Sequence, residues 1–79
     1  MKMMNEKLPE VEGFTSTYNE FLDAVVFTHE HSGFYKALSL HEIEAIDRLG
    51  GWDMITEDLN RGVDKILTQQ LLNRYRPGE

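Results

Sequence analysis

Residues 38–52, LSLHEIEAIDRLGGW, mark both ends of a helix in their own letters. Ser39 followed three positions later by Glu42 is a capping box. The serine oxygen accepts a hydrogen bond from a free backbone N–H of the first turn, and Glu42 reaches back to the serine N–H. Leu38 before the cap and Ile43 after it are placed as a hydrophobic staple. Gly50 offers the left-handed residue that ends a helix, and Gly51 frees the chain to turn. The expected helix two is therefore 39–49. Its apolar residues at 40, 43, 46 and 49 repeat every third position, which drifts around a 3.6-residue helix and gives a broad buried arc.

Downstream, Trp52, Ile55, Leu59, Val63, Ile66 and Gln70 fall within one narrow arc at 100° per residue. The arc holds register across Gly62, so the pattern predicts one helix three over 52–75, although glycine costs up to about 1 kcal/mol against alanine there. Asp53, Glu57 and Asp58 lie near its start and Arg74 and Arg76 near its end, as the helix dipole favours. Pro77-Gly78 stops it, leaving 76–79 as a tail.

Upstream, Thr17 and Glu20 have the spacing of a second capping box, and Tyr18, Phe21, Leu22, Val25 and Val26 repeat at helical spacing. That predicts helix one over 17–31, closed by Ser32-Gly33. Residues 1–13, with Pro9 and Gly13, are expected to be a flexible arm whose Leu8 and Val11, with Phe14, can lie on the bundle. The fold class expected from the sequence is all-α, a single small three-helix bundle spanning 1–79.

Composition narrows the function. The chain has 79 residues and no cysteine, so disulfides and thiolate metal sites are excluded. Lack of cysteine suits a reducing compartment, and a cytoplasmic location is expected. No apolar run is long enough for a signal peptide or a membrane span. The net charge of −6 is uneven: residues 1–60 hold four Lys/Arg against twelve Asp/Glu, and residues 61–79 hold four against two. An acidic body repels phosphate backbones and favours basic partners.

No constellation for catalysis stands out. There is no thiol, no glycine-rich phosphate loop and no GxSxG elbow, so the chain is expected not to be an enzyme and to hold no cofactor. His29-Glu30-His31 with His41-Glu42 supplies metal-ligand types. On a helix, however, His29 and His31 would point about 200° apart and could not share an ion. No metal site is expected. Helix two, the glycine turn and helix three also imitate a helix-turn-helix, the alternative function being a transcriptional regulator. The would-be recognition segment WDMITEDLNR carries three acids against one arginine, the wrong sign for a duplex.

Candidate binding residues are of two kinds. Phe27 stands alone among the acids of helix one, and Phe34 and Tyr35 occupy the first link, where they either plug the bundle or form an exposed aromatic pair. Leu71, Leu72 and Tyr75 rotate off the main stripe of helix three, beyond the reach of the two shorter helices. They need the arm, a second copy or a partner to cover them. Glu44, Asp47, Glu57 and Asp58 form an acidic face, read either as a solvated surface or as a mimic of nucleic-acid phosphates.

In size, acidity and lack of catalytic signature, though by no motif, the chain is similar to small phage and mobile-element proteins, including inhibitors of host defence such as anti-CRISPR proteins. That resemblance implies a non-enzymatic protein-binding module, an adaptor or inhibitor of a larger protein. The expected partner is another protein with a basic surface, alongside a homodimer, with no direct nucleic-acid or membrane contact.

Overall fold

A computed structural model describes residues 8–75. The expected tail at 76–79 and the first seven residues of the expected arm lie outside the described residues. In chain order the elements are β1 (Thr15–Asn19), β2 (Ala24–His29), β3 (Phe34–Ser39), α1 (Leu40–Leu49) and α2 (Trp52–Arg74). The molecule is α+β, which corrects the all-α bundle: a three-stranded antiparallel meander in the order β1-β2-β3 precedes two helices.

The error lies in the expected helix one and in the link expected after it, since Phe34 and Tyr35 begin β3. Residues 17–31 are the end of β1, a turn, β2 and the start of a second turn. Thr17 does not cap a helix; it sits in β1 opposite Val26. β2, AVVFTH, is built of β-branched and aromatic residues that suit a pleated, half-buried surface better than a helix. Its true period is two. Directly opposed residues share a face, so Val25 lies with Leu38 and His29 with Phe34 on the side toward the helices. Thr17, Val26 and Ala37 line the other side, away from α1 and α2, and none of the three is fully buried.

The core forms between the covered face and the helices. Val25, Phe27 and Leu38 from the sheet meet Ile43 of α1 and Leu59 of α2, and Val11 of the leading segment joins them. Leu8 and Phe14 pack partly against the same cluster. Ser16 fixes that segment by donating to the carbonyl of Pro9 at 2.7 Å.

α1 has the capping box in full. Ser39 Oγ accepts from the N–H of Glu42 at 3.1 Å, and Glu42 Oε1 accepts from the N–H of Ser39 at 2.9 Å. Gly50 stands at φ 70° and ends the helix. Across the corner, the Trp52 indole N–H donates to Asp47 Oδ1 at 2.9 Å, so α2 starts against the end of α1. α2 runs unbroken through Gly62, and there glycine has a packing reason: a Cβ would collide with the ring of Phe34.

The β2–β3 turn, residues 30–33, is polar and tightly tied. Gly33 N–H donates to the His29 carbonyl at 2.8 Å, and Ser32 N–H donates to His29 Nδ1 at 3.2 Å. Ser32 Oγ, 2.9 Å from the same nitrogen, accepts from the N–H of Phe34 at 3.1 Å. Ser32 is buried and Gly33 takes φ 81°. Among the described residues no helix is long and apolar enough to cross a membrane.

Candidate interaction surface

The sequence-derived binding residues separate into different parts of the molecule. Phe27 has no exposed surface; it fills the middle of the sheet against Trp52, with ring centroids 6.2 Å apart. Its placement on an acidic surface followed from helical phase, and strand phase turns it inward. Phe34 is half-buried, edge-on to Phe14 at 6.4 Å and seated over Gly62. Both pack against residues of the same chain. Tyr35, on the sheet's other side, is exposed. Leu71 and Leu72 on the last turns of α2, and Tyr75 at its C-cap, are exposed.

The acidic face has local occupations. Asp47 holds Trp52, while Glu57 and Asp58 flank Arg61 at 3.8 and 2.9 Å. Among the described residues Glu44 has no such contact. All four are exposed. Exposed ion pairs one turn apart contribute only a few tenths of a kcal/mol.

The histidines differ from the helical expectation too. His29 and His31 lie across a turn with ring centroids 6.4 Å apart, instead of on opposite sides of a helix. His29 is engaged by Ser32 and packs beside Phe14. Among the described residues no group of three or more His, Asp or Glu side chains could hold a metal ion.

The surface feature that sequence reasoning missed is the β1–β2 turn, residues 20–23. Phe21 is 98% exposed and Leu22 60%. The turn beneath them is well built. Asn19 Oδ1 accepts from the N–H of Leu22 at 3.0 Å, and the Tyr18 hydroxyl donates to Asp23 Oδ1 at 2.6 Å. Asp23 holds φ 52°, a left-handed conformation that aspartate tolerates better than most residues. Its carbonyl accepts from the Leu40 N–H at 3.3 Å, tying the turn to the first residue of α1.

No family model, curated protein or solved structure matches this chain. The surface itself therefore carries the functional argument.

The electrostatics at this turn are negative. Tyr18 titrates above its ordinary 10.0, chiefly because its hydroxyl is bonded to Asp23, then through partial desolvation and the nearby carboxylates of Asp23 and Glu20. Phe21 and Leu22 thus project from a braced turn whose neighbours, Glu20 and Asp23, are exposed acids. The signals that could have located the turn were Asn19 and Asp23 as turn formers four residues apart, between runs rich in threonine and valine.

Proposed function

We propose that this chain is a small non-enzymatic binding module whose contact with a larger protein is made by Phe21 and Leu22 at the tip of the first hairpin. The observation that supports it is a phenylalanine with almost its whole surface in water, on a turn held by three side-chain or cross-element hydrogen bonds. Scattered exposed apolar residues are common. An aromatic on a braced turn is different, because the backbone beneath it loses little freedom on docking and aromatic side chains supply the anchors that dominate interfaces.

The matching partner surface is an apolar pocket with basic groups at its rim, facing Glu20 and Asp23. Such charges mainly raise the association rate and its salt dependence, while the buried anchors set the lifetime. A module of this kind works as an adaptor or as an inhibitor that occludes a site. Its cysteine-free composition suits action in a reducing cytoplasm.

The test compares immobilised wild type with Phe21→Glu combined with Leu22→Glu, using lysate from cells that carry the protein. Proteins retained by the wild type are expected to be absent from the double variant, with both proteins melting at the same temperature. Equal retention by the two, or nothing retained by either, overturns this assignment.

A further inference from the structure

We infer that two copies of this chain associate through the projecting end of α2, packed antiparallel, with Leu67 and Leu71 at the centre and Asp64 and Arg74 at the edges. The surface is separate from the hairpin tip and does not depend on it.

α2 is covered by the rest of the molecule only as far as Leu67, about two thirds of its length. Leu59 and Val63 are the buried residues of the helix, and from residue 68 onward every described residue is exposed. Along the end of the helix Asp64, Leu67, Leu71 and Arg74 follow one another at intervals of three, four and three, with Leu67 half-buried and the other three exposed. This is the spacing of a two-helix seam, and it places all four on one strip.

The intervals are the same in either direction. An antiparallel second copy therefore sets Leu67 against Leu71 of the partner subunit, and Leu71 against the partner's Leu67. The same register sets Asp64 against Arg74 of the partner subunit, and Arg74 against the partner's Asp64. Opposite charges meet at both ends. A parallel copy would instead place aspartate beside aspartate and arginine beside arginine. The strip is thus self-complementary in one direction only, the property of a two-fold symmetric contact. Among the described residues neither Asp64 nor Arg74 has an ion-pair partner within its own chain. The antiparallel direction also carries the two sheets away from each other, so neither obstructs the contact.

Eleven residues of helix span about 16 Å. That is short against the roughly 800 Å² per partner of a stable interface, so the association is a weak, concentration-dependent one. Leu72 lies about a quarter turn or more off the strip and plays no part in it.

Sedimentation equilibrium over micromolar to millimolar protein tests this. Wild type is expected to shift from monomer to dimer across the range. Asp64→Arg is expected to weaken the association at least tenfold, as is Arg74→Asp. The variant carrying both exchanges is expected to recover most of the wild-type affinity, since its charges again complement across the two-fold axis. All three keep the helix content of the wild type, because the sites are exposed. A wild type that stays monomeric to millimolar concentration overturns the inference, as do single variants that dimerise like wild type or a double variant that fails to recover.

Discussion

The two hairpin turns of this molecule solve the same problem with different letters. Glu20-Phe21-Leu22-Asp23 and Glu30-His31-Ser32-Gly33 are both four residues long, and each joins β2 to one of its neighbours. In each, the last residue of the preceding strand uses its side chain to accept from the N–H three positions on: Asn19 from Leu22, His29 from Ser32. Both end on a left-handed residue, Asp23 or Gly33. The side-chain cap and the left-handed last residue are shared, so the residues at the second and third positions are not dictated by them. One turn places histidine and a buried, hydrogen-bonded serine there; the other places phenylalanine and leucine in water. The second turn spends those positions on the fold. The first does not, and its apolar pair is surplus to folding.

Exchanging the two central pairs is the sharpest way to break that contrast. His31→Phe with Ser32→Leu is expected to destabilise the protein by about 2–3 kcal/mol, since it removes a buried hydrogen-bonded hydroxyl and inserts bulk in its place. Phe21→His with Leu22→Ser is expected to stay within about 0.5 kcal/mol of wild type, as surface changes do. Equal costs in urea melts would show that the first turn also uses its apolar pair structurally.

The left-handed positions give a smaller difference. Gly33→Ala is expected to cost about 1 kcal/mol, because no atom obstructs the new Cβ and only the backbone conformation resists it. Asp23→Gly relaxes the same conformation but removes the acceptor of the Tyr18 hydroxyl. Its expected net change is close to zero, and a thermal melt of each variant tests the pair.

The smallest effect is a pH dependence confined to the first turn. Tyr18 titrates higher in the folded chain than its ordinary 10.0, so its contribution is fully present below pH 10.0 and fades as pH rises through the folded-state value. Tyr18→Phe is expected to remove that component from the alkaline limb of the stability curve. Tyrosinate absorbance, followed in wild type and variant, identifies which of the three tyrosines titrates late.

Legibility in the sequence followed the local chemistry. α1 announces itself because Ser39, Glu42 and Gly50 satisfy its ends with their own atoms, and no distant contact is needed to place it. α2 keeps one apolar arc from Trp52 to Ile66, long enough that chance cannot imitate it. The stretch 17–31 misleads because Tyr18, Phe21, Leu22 and Val25 are spaced as on a helix. Two of those four are the exposed residues of a turn, so half of that apparent stripe never enters the core. The genuine signal, Val25, Phe27 and His29 alternating within β2, spans only one strand and competes with Val26 and Thr28 between them. Choosing the wrong period moved Phe27 from the centre of the protein to its surface and hid Phe21 in an imagined interior. The exposure of the end of α2 did not depend on that choice, whereas Tyr35, expected in a link, lies in β3 with its side chain exposed.

The free end of α2 changes how the molecule moves through a solvent. The chain extends over 55 × 25 × 17 Å with a radius of gyration of 15.2 Å. A compact domain of this length has about 12 Å. A lone 9.2 kDa chain of that form drags and diffuses like a larger sphere, and leaves a sizing column ahead of globular standards of its own mass. Elution volume alone would therefore count one molecule as two, whereas scattered-light mass or equilibrium sedimentation, which weigh particles regardless of form, would not.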